Sequence, residues 1–207
     1  MTIYLTSSVQ KVAHALAKKI DKKGAKLVFI STAAEVEEGD LKWKEDDKQS
    51  LIDAGFDVTE YTITGQSREE IKSFLKDFEI IYFSGGNTFY LLEKIQQSDC
   101  RDIIVDFVKN GKIYIGSSAG SVIAGPNIYP LRDLDNYLKA PNIKGHEGFG
   151  LVDFVVFPHW GHEFFKEKYL KHRVIHTYNE ENKIILLTNH QFIEVKDDWY
   201  RIVEVDE

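Results

Sequence analysis

The chain has 207 residues, 43% hydrophobic and 29% charged, so it holds enough apolar material for a sizeable core and is not a disordered or low-complexity sequence. Its formal net charge of −7 argues against a nucleic-acid or anionic-membrane surface, because both require clustered cations. The length favours one domain spanning residues 1–207, with a small molecule or small peptide as its partner.

Compartment and assembly are constrained by other features of the whole sequence. No uncharged apolar run of about 18 residues occurs and no secretory signal follows Met1, so we expect a cytoplasmic protein with no membrane partner. The one cysteine, Cys100, cannot form an internal disulfide, and its polar surroundings predict a structurally neutral thiol. We expect no cofactor, no nucleic-acid partner, and either a monomer or a weak homodimer.

Short β-like runs alternate with amphipathic stretches, which is typical of an α/β fold with a mostly parallel sheet flanked by helices in three layers. Strands are predicted at 3–5, 26–31, 57–62, 80–83 and 112–116, and then at 154–157, 184–187, 192–195 and 200–203. Helices are predicted at 9–20, 41–54, 68–75, 89–97, 101–109 and 163–178. Ser67 and Glu70 have capping-box spacing, and the turn-like residues 196–198 predict a carboxyl-terminal antiparallel hairpin.

The stretch 129–150 is long and irregular. It carries Pro130, Pro141 and three glycines, so it predicts either a functional loop or a mobile one. The sequence leaves open whether this loop closes over a site.

The segment 112–124 is the most informative part of the chain. An apolar strand runs into Gly116-Ser117-Ser118-Ala119-Gly120 and small helix-compatible residues follow, as in a nucleophile elbow. Glycines at 116 and 120 would let strand and helix approach closely, while the turn would hold Ser118 in a strained backbone conformation. A tight strand-to-helix turn without chemistry is the alternative.

A second glycine turn, Ser84-Gly85-Gly86-Asn87-Thr88, follows the predicted strand 80–83. In a parallel sheet it opens at the same carboxyl edge, where ligands collect. The amides of Gly86 and Ala119 could form an oxyanion hole, and Asn87 could contact substrate. Alternatively, Asn87 or Thr88 only caps the next helix.

A nucleophilic serine needs a base, and His159 is the best candidate among seven histidines because it ends the apolar strand 154–157. We expect it at the same sheet edge as Ser118. His162 lies three residues further on, but no cysteine or carboxylate cluster completes a ligand set, so no metal site is expected.

The base must in turn be oriented by a third group. Asp133 gives the chain order Ser, Asp, His, and Asp135 is close enough to serve instead. Asn189, after the predicted strand 184–187, could orient the imidazole as an amide, although an amide lacks the charge of a carboxylate.

Three motifs together resemble the aspartyl dipeptidase (peptidase E) family of serine peptidases: the segment 114–120, Gly85-Gly86-Asn87-Thr88-Phe89, and Phe157-Pro158-His159. The resemblance covers most of the chain and implies a class I glutamine amidotransferase-like (flavodoxin-like) fold. It implies that Ser118 is the nucleophile and His159 the base, and that the Gly86 and Ala119 amides form the oxyanion hole. It assigns the charge relay to Asp133.

Two positions depart from the family pattern. Some members have a glutamate near the position of Asn189, which favours Asp133 as the third group here. The family holds an acidic first residue with a basic residue in a Thr-Arg-Glu stretch, where this chain has Lys166 and Lys168. A lysine is a point charge and not a bidentate fork, so aspartyl specificity is doubtful; Lys168 and Asn189 remain weak candidates for substrate contacts.

The sequence therefore predicts a serine hydrolase that cleaves a small peptide, with dipeptidase-like activity. The alternative is a non-catalytic amidotransferase-like protein that binds a small molecule. An esterase of the α/β-hydrolase type shares the chain order, but it would need a longer chain and a His-Gly-Gly-Gly-like loop.

Overall fold

The computed structural model describes residues 1–132, 134–172 and 181–205. The amino-terminal half alternates strands and helices: β1 (Thr2–Thr6), α1 (Val9–Ile20), β2 (Lys26–Ile30), α2 (Lys42–Asp53), β3 (Asp57–Tyr61), α3 (Arg68–Leu75), β4 (Ile80–Phe83) and α4 (Thr88–Ser98). The rest comprises α5 (Arg101–Lys109), β5 (Ile113–Ser117), α6 (Ala119–Ile123), β6 (Val155–Phe157), α7 (Glu163–His172), β7 (Ile184–Leu186), β8 (Gln191–Lys196) and β9 (Trp199–Glu204).

All nine predicted strands form, and the predicted bounds of α1, α3 and α5 match those of the structure. Both hydrogen bonds of the capping box at the start of α3 are present. The Ser67 side chain accepts from the Glu70 backbone amide, and the Glu70 side chain accepts from the Ser67 backbone amide. The predicted helix 163–178 is described as far as His172, and the remainder of that prediction lies outside the described residues.

The central sheet has the strand order β3-β2-β4-β5-β1-β8-β9. Its first five strands are parallel, whereas β8 runs antiparallel to β1, and β9 antiparallel to β8. The predicted mostly parallel sheet with a carboxyl-terminal antiparallel hairpin is confirmed. Because the first five strands are parallel, the loops after β1, β4 and β5 open at the same edge.

The pairing of β6 and β7 differs from the prediction. The strand before His159 was expected to belong to the central sheet. They pair with each other in a separate two-stranded parallel sheet. The free side of β1 is already taken by β8, and β6 packs against α6 instead. His159 therefore lies at the carboxyl edge of the central sheet, although the strand that leads to it is not hydrogen-bonded to that sheet.

The core lies on both faces of the sheet. Alternate strand residues supply each face, as the two-residue period of a strand requires. One face buries Tyr4, Phe29, Tyr82 and Ile115 beneath α1 and α2, and the other buries Leu5, Ile30, Phe83 and Tyr114 with α4, α5 and α6. Strand β4 is buried along its whole length, which explains its uninterrupted apolar sequence.

The loop 129–150 is anchored to α4 and α5 in the part that the structure describes. The buried Glu93 carboxylate accepts from the Asn142 amide at 2.6 Å, and Arg101 donates to the carbonyls of Gly148 and Phe149 at 2.9 and 3.0 Å. Among the described residues, no helix is long and apolar enough to cross a membrane.

Candidate active site

Ser118 occupies the turn between β5 and α6. Its backbone has φ 49° and ψ −111°, a left-handed conformation that is costly for a residue with a side chain. The Ser118 amide donates to the Thr6 carbonyl at 3.0 Å, which ties the turn to the end of β1. The strained elbow predicted from the sequence is therefore present.

The two glycines of the elbow are explained by close backbone packing. A Cβ atom on Gly116 would lie 2.4 Å from the Gly120 carbonyl oxygen, and one on Gly120 would lie 2.1 Å from the Phe83 carbonyl oxygen. Neither distance is compatible with a real side chain, so only glycine lets α6 pack this closely on β4 and β5.

His159 meets Ser118 at the end of β6. Its Nε2 atom lies 3.0 Å from Ser118 Oγ, within hydrogen-bond distance. The His159 backbone is also left-handed, with φ 60°, and its amide donates to Ser7 Oγ at 3.0 Å. The imidazole stacks on Phe165, with 4.6 Å between ring centroids, so its plane is fixed by packing as well as by hydrogen bonds.

The side chain next to the other imidazole nitrogen is an amide. Asn189 Oδ1 lies 2.7 Å from His159 Nδ1, the position that a carboxylate occupies in a Ser-His-Asp triad. Asp135 accepts from the Thr88 amide at 2.8 Å at the start of α4, and the predicted Asp133 lies outside the described residues. An asparagine in this place has precedent in the Cys-His-Asn arrangement of papain-like proteases.

This geometry fixes the tautomer of the imidazole. An amide oxygen can only accept, so His159 carries its proton on Nδ1 and leaves the Nε2 lone pair for the Ser118 hydroxyl. Burial lowers the pKa of His159 below its usual value of 6.5; the Asn189 hydrogen bond opposes this shift and the nearby His162 adds to it. A neutral imidazole is therefore favoured near pH 7, as a general base requires.

The glycine loop after β4 packs against Ser118. A Cβ atom on Gly85 would lie only 3.3 Å from Ser118 Cβ. Gly86 has φ 122° and leaves no room for a side chain, since a Cβ there would lie 2.2 Å from the Ala33 carbonyl oxygen. Within the described ranges, neither the Gly86 nor the Ala119 amide has a hydrogen-bond acceptor, so both donors are free for a substrate oxygen.

Asn87 plays the capping role that the sequence left as an alternative. Its side-chain oxygen accepts from the Tyr90 amide at 3.0 Å at the start of α4, and its nitrogen donates to the Asn136 carbonyl at 3.1 Å. Both halves of the amide are thus used within the protein, although Asn87 still lines a cavity beside the site.

Two adjoining cavities lie at or near Ser118. The first, about 20 Å³, holds Ser118, Ala119 and His159 and is closed by apolar and aromatic side chains that include Leu131, Phe165 and Tyr169. The second, about 500 Å³, shares Leu134 and Asp135 with the first. The larger cavity has room for one or two residues and adjoins the small cavity that holds Ser118 and His159.

The larger cavity carries charges of both signs. Lys168 and Lys139 line it together with Glu37, Glu38 and Asp135. Lys139 is engaged with Glu38 at 2.7 Å, and burial together with the nearby Asp135 raises the pKa of Glu37. Of the two lysines considered from the sequence, Lys168 reaches this cavity.

The other lysine, Lys166, lies away from the site. Its ammonium group pairs with Glu163 at 3.3 Å on an exposed part of α7. In the part of the chain that the structure describes, no group of three or more histidine, cysteine or carboxylate side chains is arranged to hold a metal ion.

Ser7 and Phe165 were missed by sequence reasoning, although both hold His159. The Ser7 hydroxyl accepts from the His159 amide and donates to the Leu187 carbonyl at 2.8 Å, so it joins β1 to both turns that carry the base and its partner. The position of Ser7 after a strand, at the carboxyl edge of a parallel sheet, was a signal that could have indicated a role.

Comparison with known proteins identifies the family of the chain. A family model described as peptidase family S51 matches residues 3–203. An uncharacterized peptidase of Listeria monocytogenes is 33% identical over 94% of this chain and 94% of its own length. Peptidase E of a Nostoc species is 30% identical over 76% of this chain and 60% of its own length.

A solved structure shows the same architecture. The crystal structure of a candidate peptidase E protein from Listeria monocytogenes EGD-e superposes with a TM-score of 0.91 at 32% identity, covering 99% of this chain and 98% of the other. The agreement extends over nearly all of both chains.

Proposed function

Since the chain belongs to peptidase family S51, we propose that it is a serine peptidase that hydrolyses short peptides through an acyl-enzyme on Ser118. One observation carries this proposal: Ser118 Oγ and Asn189 Oδ1 lie 3.0 and 2.7 Å from the two nitrogens of the same imidazole. A nucleophile, a base and a group that orients the base are thus aligned as acyl transfer requires.

In the proposed reaction, Ser118 Oγ attacks the carbonyl carbon of the scissile peptide bond while its proton passes to His159 Nε2. The carbonyl oxygen gains the negative charge and accepts hydrogen bonds from the Gly86 and Ala119 amides. The C–N bond then breaks, and His159 returns the proton to the leaving amine. Water, deprotonated by His159, attacks the ester carbonyl. The bond from that carbon to Ser118 Oγ then breaks, His159 returns the proton to Ser118 Oγ, and the acyl product leaves as a carboxylic acid.

Asn189 keeps the imidazole in the correct tautomer and orientation. It cannot supply the negative charge with which a carboxylate stabilises the imidazolium that forms when Ser118 is deprotonated. Burial of His159 makes that charged state costlier still. Positioning of the serine and the oxyanion amides therefore carries a larger share of catalysis here than in a triad with a carboxylate.

The cavities support a small substrate with charged groups. The small cavity that holds Ser118 adjoins a cavity of about 500 Å³, and the volume of that larger cavity suits a peptide of a residue or two. Carboxylates of Glu37 and Asp135 can receive a free α-amino group, and Lys168 can receive an anionic group of the same peptide. We therefore propose short peptides with a free amino terminus as substrates.

A panel of dipeptides that differ only in the first residue tests this function. Free dipeptides should be hydrolysed by the parent protein, whereas their N-acetylated forms and casein should not, as measured by amine release. Lys168→Met should lower kcat/KM about tenfold for an acidic first residue relative to a neutral one, since a charge-assisted hydrogen bond contributes on the order of 1.4 kcal/mol or more.

Lys166→Met is the matched control, because it removes an equally long cation from the same helix but outside the cavity. It should leave the specificity ratio unchanged. Absence of hydrolysis across the whole panel would contradict the proposed function, and equal effects of the two lysine variants would contradict the role of Lys168.

The pH dependence of kcat/KM should reflect the lowered pKa of His159. His159 stays neutral until the pH falls through that pKa. The midpoint of the acid limb of the kcat/KM profile should therefore lie below pH 6.5, the usual imidazole value. Asn189→Asp places a negative charge beside Nδ1, favours the imidazolium and should move the limb to higher pH. Rate profiles of both proteins check this; a parent limb above 6.5 would contradict it.

A further inference from the structure

A third cavity, of about 600 Å³, shares no lining residue with the two cavities at or near Ser118. It is lined by the turn 160–162 after β6, the turn 188–190 before β8 and residues 204–205 at the end of β9. The Trp160 amide donates to the Leu187 carbonyl and the Val205 amide to the His190 carbonyl, each at 2.9 Å. Backbone hydrogen bonds therefore join the walls of a cavity whose volume is typical of small-molecule sites.

Asn189 connects the third cavity to the base. Its Oδ1 atom lies 2.7 Å from His159 Nδ1, and Asn189 lines the cavity whereas His159 does not. In the parts of the chain that the structure describes, no acceptor contacts the side-chain nitrogen Nδ2 of Asn189. Because the oxygen and the nitrogen of an amide point in different directions, Nδ2 is turned away from the imidazole and remains a donor for an occupant of the cavity.

The other polar and aromatic groups of the third cavity indicate what the occupant is. The Phe164 amide donates to His162 Nδ1 at 3.3 Å, so the neutral His162 ring carries its proton on Nε2 and can donate there. Glu204 supplies a carboxylate. The half-buried indole of Trp160, which packs edge-to-face with Tyr169, adds an apolar surface. These groups fit a small molecule with a carboxylate, an ammonium group and an apolar body.

We propose that the third cavity binds a free α-amino acid, whose carboxylate accepts from Asn189 Nδ2 and whose ammonium group pairs with Glu204. The proposed peptidase reaction releases free amino acids, so the inference rests on the proposed function and makes the ligand a product. The bound carboxylate supplies, through the polarised amide, part of the negative charge that Asn189 itself lacks. It thereby stabilises the imidazolium that forms during attack, and the product activates the enzyme.

L-Leucine is the probe for activation. At saturating concentrations of a dipeptide without leucine, added L-leucine should raise kcat about threefold at about pH 8, a small factor because a charge several ångströms away in a partly solvated cavity is strongly screened. Saturation with the dipeptide excludes competition in the substrate cavity. The midpoint of the acid limb should move to higher pH, since a nearby negative charge favours the imidazolium.

L-Leucinol is the matched control ligand, because it keeps the ammonium group and the apolar body of leucine and lacks the carboxylate. It should leave both kcat and the acid limb unchanged. Equal activation by L-leucine and L-leucinol would show that no carboxylate acts on Asn189, and the inference would be wrong.

Glu204→Gln tests where L-leucine binds. Isothermal titration calorimetry should show L-leucine binding weakened about tenfold or more, because the ammonium group loses its charged partner. Activation at a fixed L-leucine concentration should fall in parallel. Asp198→Asn is the matched control, since Asp198 is an exposed carboxylate in the turn of the same hairpin but outside the cavity. Equal L-leucine affinity of the parent and Glu204→Gln would place the ligand elsewhere and overturn the inference.

The same measurements separate this inference from the proposed function. If the parent hydrolyses dipeptides but L-leucine does not bind, or binds without raising kcat, the inference is wrong while the proposed function stands. If the parent hydrolyses no dipeptide, the proposed function fails and product activation fails with it.

Discussion

Replacing Ser118 with alanine is expected to lower kcat for dipeptide hydrolysis by about 10⁴-fold or more, since loss of the nucleophile removes the acyl-enzyme route. Residual hydrolysis above the uncatalysed rate should persist, because the Gly86 and Ala119 amides can still stabilise an oxyanion. Product release measured by mass spectrometry over long incubations covers the required range of rates.

Ser8→Ala is a suitable control for this variant. Ser8 directly precedes α1, and its side chain makes no capping hydrogen bond, so both the activity and the Tm of that variant should match the parent. Hydrolysis by Ser118→Ala at more than about a tenth of the parent rate would mean that another group is the nucleophile.

Gly120→Ala should have the largest effect on stability. The added Cβ would sit 2.1 Å from the Phe83 carbonyl oxygen, which is part of buried strand β4 and cannot move aside without breaking sheet contacts. Overpacking of this kind costs about 3 kcal/mol of unfolding free energy, and the displaced helix α6 should also lower activity. Urea denaturation gives the free-energy difference directly.

Gly65→Ala provides the comparison for Gly120→Ala. Gly65 has φ 76° and no atom within 4 Å of its added Cβ, so that variant carries only left-handed strain, about 1 kcal/mol. Equal losses in the two variants would show that the clash with β4 is relieved cheaply, which would contradict the close packing assigned to the elbow.

Much of the fold could be predicted from local patterns in the sequence. Apolar runs and amphipathic periodicity located every strand, and capping residues set the start of α3. The partners of β6 and β7 could not be predicted, because strand pairing depends on contacts between distant segments. Only the folded chain shows that β8 already occupies the free side of β1.

The nucleophile turn could be predicted because its chemistry is local. The spacing of Gly116, Ser118 and Gly120 within one strand-turn-helix segment contains the whole signal. The partner of His159 Nδ1 is a long-range choice among polar loop residues. The structure places Asn189 there, at 2.7 Å, while the sequence analysis favoured Asp133.

The contacts of the groups that hold His159 could not be predicted for a similar reason. Ser7 reaches His159 across 152 positions of the chain and Leu187 across 180. Such contacts become predictable only when the sheet order and the helix faces are known.

Fluorophosphonate labelling of the parent and of His159→Ala, read by peptide mass, tests the central claim most directly. That claim is that His159 activates Ser118. The account predicts a single adduct on Ser118 in the parent and labelling at least about 100-fold slower in His159→Ala, the scale of general-base catalysis. Equal labelling of both proteins, or an adduct on another residue, would contradict it.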